Sequence, residues 1–231
     1  MANSNNDAVE HKLEGIEHAL TRTEQYIEDN RKSLSIIAGA IIAAVAIYFA
    51  FNQFYLKPQE AEAQKQMYVA EQYFEKDSLK QALNGDGNYP GFLGIIDQYS
   101  LTDAANLAHY YAGICYKNMG KYNEAIEYLK KFDSNDVVVS NIALGSIGDC
   151  YAELGDTDKA LKFYKKAAEN KKNDFTSPLY LMRAGLLLED KNEFSKALEM
   201  YQRIEKEYNK SYEGQQVEKY ITRVKVKGNI K

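Results

Sequence analysis

The 231-residue sequence has no tryptophan, three prolines, two cysteines and three histidines, and no large excess of either charge. Each shortage removes a class of protein. A formal charge of −4 and a pI near 5.6 provide no electrostatic reason to bind nucleic acid, so no nucleic-acid partner is expected. The histidines are His11, His18 and His109, and no nucleophile-base constellation, phosphate-cradling glycine loop or His-x-x-x-His spacing accompanies them. Two cysteines without a ligand partner do not make a metal site. The chain is therefore read as a non-enzyme with no catalytic residue, cofactor or metal. Few prolines and nineteen tyrosines suit a helical protein in which tyrosine supplies much of the interhelical packing.

What the sequence does have is enough apolar content, 45% against 27% charged, to bury a core. Its strongest signal is a repeat between Asn106 and Asn209. His109-Tyr110-Tyr111-Ala112-Gly113-Ile114-Cys115-Tyr116 aligns with Leu144-Gly145-Ser146-Ile147-Gly148-Asp149-Cys150-Tyr151 and with Leu181-Met182-Arg183-Ala184-Gly185-Leu186-Leu187-Leu188. The glycines are 35 and 37 residues apart, and an alanine follows each by twelve residues, at Ala125, Ala160 and Ala197. Small residues at both places let two helices approach closely. Tyr116, Tyr151 and Leu188, with Leu129, Tyr164 and Tyr201, are the expected packing residues around that crossing. Gly120, Gly155 and Asn192 stand where a helix must end in a left-handed residue. Cys115 and Cys150 fall at one place in consecutive repeats. Helices pack about 8–10 Å apart and a disulfide needs its alpha carbons within about 7 Å, so both are read as small buried hydrophobes.

This pattern resembles the tetratricopeptide repeat family, whose helix-turn-helix unit has a period of about 34 residues. It departs from the family at two places. The large aromatic four residues before the glycine is replaced by His109, Leu144 and Leu181, and the closing proline by Val137, Lys172 and Asn209. The fold class expected is all-α, a tetratricopeptide-repeat solenoid (α-α superhelix), with three repeats over 106–209. By the resemblance, a concave groove for a partner is lined by Leu107, Tyr110, Ile114, Lys117 and Asn118, by Ile142, Gly145, Asp149, Ala152 and Glu153, and by Leu179, Met182, Leu186, Glu189 and Asp190. That set is apolar with acidic edges. Only Lys117 and Asn118 could serve a clamp for the carboxylate tails of cytosolic chaperones, so that role is rejected.

Ahead of the repeats, Val9, Leu13, Ile16, Leu20 and Ile27 form the seam of an amphipathic helix in the segment 1–32. Its acidic outer face favours a partner helix, a second copy included, over an anionic membrane surface; a solvated lead-in is the alternative. No residue from Ser33 to Leu56 is charged, which matches the roughly 20 apolar residues that span a bilayer as a helix. Tyr48, Phe49, Phe51, Phe54 and Tyr55 gather at one end, as an interfacial belt does. The segment 33–56 is thus read as a single transmembrane helix, too long and too far into the chain for a cleaved signal. Lysine and arginine counts tie across it, but Arg31 and Lys32 abut the span, which points the N-terminus inward and the repeats outward.

Residues 57–105 read as a degenerate first repeat. A helix from Glu60 to Leu83 and a short one from Phe92 to Tyr99 flank an enlarged hairpin turn at Asn84–Gly91. An EF-hand needs glycine at its sixth place and glutamate at its twelfth, where this loop has Tyr89 and Ile95, so it is taken as a turn. Residues 210–231 supply a capping helix, Ser211 to Lys227, with Val217, Tyr220, Ile221 and Val224 inward and Glu218, Lys219 and Arg223 outward.

A short cytoplasmic helix, one anchor and an outward repeat array together resemble the YfgM-like family, the ancillary subunit of the bacterial SecYEG translocon. That resemblance implies a scaffold in the bacterial inner (plasma) membrane with its repeats periplasmic. Its partners would be translocon subunits and a membrane-anchored periplasmic chaperone, and it would assist secreted proteins. Two other readings remain: a cell-envelope assembly factor, or a homo-oligomeric structural protein that pairs with itself through residues 9–27.

Overall fold

The computed structural model describes residues 26–231. The chain divides into two compact units, Met1–Pro58 and Gln59–Lys231. Of the expected amphipathic seam, Val9, Leu13, Ile16 and Leu20 lie outside the described residues.

The first unit contains helix α1 (Arg31–Phe51), followed by one turn of π-helix at Asn52–Leu56. No residue of α1 is buried, and its apolar stretch has a mean hydropathy of 2.5. At 1.5 Å per residue the helix is about 31 Å long, against about 30 Å of hydrocarbon in a bilayer. Among the described residues this is the one helix long and apolar enough to cross a membrane. The aromatic rings beyond its middle are all exposed, and Phe51 stacks on Tyr55 at 5.1 Å.

The second unit is helical throughout. In chain order it has α2 (Lys57–Glu75, of which Lys57 and Pro58 fall in the first unit), α3 (Leu79–Asn84), α4 (Phe92–Gln98), α5 (Asp103–Asn118), α6 (Tyr122–Lys131), α7 (Val137–Glu153), α8 (Thr157–Asn170), α9 (Thr176–Asp190), α10 (Phe194–Glu207) and α11 (Val217–Gly228). From α5 onward each helix packs on the next, and α7 also touches both α5 and α9, the first helices of the neighbouring hairpins.

The hairpin turns explain that order. Gly120, Gly155 and Asn192 have φ of 73°, 77° and 59°, and the N–H after each reaches back to the carbonyl of Tyr116, Tyr151 or Leu188 at 2.8–2.9 Å. These bonds satisfy carbonyls that the helix end leaves open. The same closure recurs at Asp77 (φ 55°), with Ser78 N–H on Tyr73, and at Asn229 (φ 51°), with Ile230 N–H on Lys225. Seven residues before these five turns stand Ala70, Gly113, Gly148, Gly185 and Thr222. The array therefore contains four hairpins and one closing first helix in a single register.

That register corrects two sequence expectations. The stretch Glu60 to Leu83 is two helices, because Asp77 ends α2 in the left-handed region and turns the chain. Ala82, fully buried and twelve residues after Ala70, then takes the place of Ala125, Ala160 and Ala197. From Asp77 to Gly120 is 43 residues against 35 to 37 for the later intervals, and the surplus is the loop between α3 and α4. The insertion thus lies inside the second helix of the first repeat and not in its hairpin turn. The Asp86 carboxylate folds that loop by accepting from Tyr73 Oη at 2.8 Å and from the N–H groups of Asn88 and Tyr89 at 2.9 Å. Likewise the last helix starts at Val217 and not at Ser211, whose hydroxyl donates to the Tyr208 carbonyl and accepts from Gly214 N–H in a turn.

The repeat glycines have a sharper purpose than close backbone approach. A Cβ on Gly113, Gly148 or Gly185 would come within 2.5, 2.7 or 2.3 Å of Leu129, Tyr164 or Tyr201, in each case the residue sixteen positions on. The glycine is a seat for that side chain, and the fully buried alanine four residues before it lets the second helix close down. Twelve-residue pairs fill in beside the seat: Tyr116 stacks on Tyr128 at 5.2 Å and Tyr151 on Phe163 at 5.5 Å. Each such side chain taken out of water contributes about 1.5–3 kcal/mol.

Helix starts are fixed by side chains. Thr102 caps α5, Asp136 caps α7 and Asp156 caps α8. Glu60 of α2 also accepts from Asp103 N–H at 2.7 Å, which ties the first repeat to the second. At the far end, Val217, Ile221 and Val224 are buried. Glu218, Thr222 and Lys225 occupy the places of His109, Leu144 and Leu181, of the three repeat glycines, and of Tyr116, Tyr151 and Leu188. A polar outer face closes the stack, as terminal repeats require.

The first-helix face as a candidate partner site

Relative to the repeat glycine, the expected groove residues fall in rows along α5, α7 and α9. Six before it are Leu107, Ile142 and Leu179; three before it are Tyr110, Gly145 and Met182. One after it are Ile114, Asp149 and Leu186; four after it are Lys117, Ala152 and Glu189; five after it are Asn118, Glu153 and Asp190. These rows do not share one open surface.

The first of them is accessible: Leu107, Ile142 and Leu179 are all half-buried. The second is largely closed. The Tyr180 ring sits where a Cβ of Gly145 would be, within 1.9 Å, and Met182 is buried at 8% exposure. Tyr110 stays half-buried against Phe132, with ring centroids 5.3 Å apart. Gly145 is therefore a seat for Tyr180 of the next first helix, and Met182 is a buried packing residue, so neither is an open groove contact.

The charged rows pair internally. Lys117 Nζ donates to Asp149 Oδ2 at 3.4 Å and approaches Ser146 Oγ at 3.5 Å. Arg183 Nη1 donates to Asp149 Oδ1, and Tyr164 Oη donates to the same oxygen at 3.0 Å. Three successive first helices are thus joined through one carboxylate. Burial, then the Asp149 charge, pushes the Tyr164 hydroxyl far above its ordinary range. One repeat further on, a second carboxylate takes the same two kinds of donor, an arginine 34 residues on and the seated tyrosine of its own hairpin. Glu189 accepts from Arg223 Nε at 2.9 Å and Nη2 at 2.6 Å, and from Tyr201 Oη at 2.8 Å, with Lys227 at 3.7 Å.

Glu189 is only 6% exposed. Burial acts to raise its carboxyl, but the Arg223 and Tyr201 hydrogen bonds and the two cations outweigh that and hold it below the usual range. It is consequently a buried anchor for α11 and not a groove residue; Arg223, expected on the outer face, is exposed there and also reaches this anchor. Sequence reasoning placed Tyr164 and Tyr201 as packing residues and Arg223 on the outer face of the last helix, but missed the pairing of these residues, with Arg183 and Lys227, to Asp149 and Glu189. Opposite charges slightly less than one repeat apart, as in Lys117, Asp149 and Arg183, were the available signal.

Recesses lie beside the closed rows at both ends of α5 and α7. One, of about 350 Å³, brings together Lys117, Asn118, Asp149 and Glu153 with Tyr122 and Arg183 at the C-terminal ends of α5 and α7. The other, of about 450 Å³, lies at their N-terminal ends and takes in Leu107, Phe132 and Val139. Between these ends Ile114 is half-buried, and on α9 Leu186 is 37% exposed. Neither recess holds a reactive group. Burial pushes the Cys115 thiol up to about 12 and the Cys150 thiol up to about 11, so both stay protonated at neutral pH. His109 lies tilted against Tyr128 with ring centroids 5.9 Å apart, and burial followed by the Lys131 charge keeps it below the usual imidazole range. The surface offers shape, apolar area and fixed charge, which is the equipment of a binding face.

Residues 107–135 and 143–174 each match the tetratricopeptide repeat family. The hairpin around Gly185 lies beyond both matches but repeats their turn, seat and alanine. A crystal structure of nearly identical TPR-like repeats from a putative kinesin light chain of Podosopora anserina is similar, with a TM-score of 0.53 and 10% identity. The similarity covers 74% of this chain and 88% of that one, and at that identity it shows the fold alone. No curated protein matches the sequence. The second unit is an all-helical tetratricopeptide-like solenoid, a class of interaction scaffold.

Proposed function

We propose that this protein is a membrane-anchored scaffold that holds another protein on the first-helix face of its repeats, and that it serves as an accessory subunit of the Sec translocon. In that role α1 spans the bacterial inner membrane with the N-terminus cytoplasmic, and the periplasmic repeats work beside a membrane-anchored chaperone on secreted proteins. The observation that carries the scaffold reading is the row of half-buried aliphatic side chains at one register position on three successive first helices. Solvated surfaces rarely align apolar groups this way, and stacked first helices present them as a continuous strip. The apolar α1, with no buried residue, supports the anchor. The translocon role rests on the sequence resemblance in overall organisation.

Photo-cross-linking tests both levels. A photoreactive residue at Tyr110 or Leu186, in membranes, should capture a protein other than the chain itself; adducts with translocon subunits or a periplasmic chaperone support the finer role. Capture of envelope-assembly proteins alone would overturn the translocon reading and leave the scaffold. Adducts with this chain alone would overturn the scaffold in favour of a homo-oligomer.

A further inference from the structure

The rows that pair internally determine what charge is left over. Helices α5, α7 and α9 carry two basic residues, Lys117 and Arg183, and both bind Asp149. The same helices and the connection into α7 also carry Asp103, Asp133 and Asp136, which have no ion pair among the described residues. These three line the 450 Å³ recess together with Leu107, Phe132 and Val139, and its lining includes no lysine or arginine. Leu107 belongs both to this recess and to the aliphatic strip, and the strip has defined ends. Six residues before Ala70 and Thr222, the equivalent places hold Gln64 and Gln216. An apolar track three helices wide is thus bordered at one end by the carboxylates of Asp103 and Asp133, which have no ion pair among the described residues, and by Asp136, which caps α7.

We infer that the occupant of this face is a segment of another protein in which lysine or arginine alternates with aliphatic residues. The inference rests on the scaffold reading above and names its partner by charge complementarity. Leucine- or isoleucine-like side chains would bury against Leu107, Ile142 and Leu179. A basic side chain would lay its methylene stem on Phe132 and Val139 and bring its charged head to the aspartates. An acidic segment would meet three carboxylates with no free cation on these helices to offset them. Asp136 remains ionised in the process: hydrogen bonds from Val139 and Val138 N–H hold it low, helped by Lys171, which itself donates to the Ser134 carbonyl at 3.2 Å.

The test uses the full chain in a neutral detergent, with empty micelles as control, and three short fluorescent peptides. All share one leucine pattern, and the alternating residues are lysine, glutamine or glutamate. Anisotropy should show the lysine peptide binding about tenfold or more tighter than the glutamine peptide, with no binding of the glutamate peptide, and added salt should weaken it. The double change Asp103→Asn with Asp133→Asn should remove most of that preference with helicity unchanged and melting lowered only slightly, since neither carboxylate joins an ion pair and Asp103 contributes only its first-turn charge to α5. Equal or tighter binding of the glutamine or glutamate peptide overturns the inference and leaves the scaffold. Failure of all three peptides, with cross-linking at Leu186 still capturing a protein, also overturns the inference alone; failure of both removes the scaffold too. Sedimentation showing self-association that the double variant abolishes would overturn it in favour of a second copy as occupant.

Discussion

Replacing Glu189 with glutamine isolates the anchor of the closing helix. The carboxylate is almost fully buried and accepts one neutral hydrogen bond, from Tyr201, and two charge-assisted ones, from Arg223. Glutamine keeps the shape but not the charge, and its amide nitrogen turns a donor toward one of those donors. A net hydrogen bond contributes about 1 kcal/mol and one to a charged group about 1.5–3 kcal/mol. Arg223 is 42% exposed and can rehydrate, so the loss is taken at the low end, about 2 kcal/mol in total. Solenoid repeats open locally, so the loss should concentrate in α11. Hydrogen exchange should show amides of Val217–Gly228 exchanging about 30-fold faster, while those of α7 and α8 change little. The sign with pH follows. A carboxyl depressed by folding contributes stability that is present above its unfolded value, near 4.3, and lost as pH falls through its lower folded value. The native chain should therefore lose protection of α11 in that acidic window, and Glu189→Gln should flatten this dependence. Unchanged exchange in α11, or the same acid limb in the variant, would refute the assignment of Glu189 as anchor.

Other consequences concern the repeat geometry. Gly185→Ala puts a methyl within 2.3 Å of the fully buried Tyr201 ring, so overpacking of about 1–3 kcal/mol should exceed the roughly 1 kcal/mol gained in helix propensity and lower the melting temperature. Asp77→Gly relieves a left-handed aspartate at the first hairpin turn and should stabilise that hairpin by about 0.5–1 kcal/mol, read as slower exchange in α3; faster exchange would contradict the turn. Cys115 and Cys150, with thiols pushed up to about 12 and about 11, should resist a thiol reagent at pH 8 until denaturant opens the repeats; rapid native labelling would contradict their burial.

The membrane-length apolar run, the helical repeat and the left-handed turn residues were legible in the sequence because each depends on neighbours within one or two turns of chain. Ala70 and Ala82 were legible in principle through their twelve-residue spacing, but a template requiring glycine at the first place hid them, and the helix from Glu60 was carried past Asp77. Even there the information was local: an aspartate followed by serine where the helical stripe changes phase.

Which polar residues face a partner was decided only by tertiary structure. Glu153 and Glu189 look alike in sequence, a glutamate late in a first helix, yet Glu153 is exposed and Glu189 lies under α11. The difference comes from what the following first helix brings alongside: Arg223 reaches back to Glu189, and Arg183 reaches back to Asp149. These pairings join residues 34 apart through the lateral register of neighbouring helices. That register is set by how Tyr180 and Tyr201 seat on Gly145 and Gly185, a matter of side-chain volume across helices. Local pattern thus determined that the chain forms stacked hairpins, and cross-helix packing decided which of their charges remain free to meet another molecule.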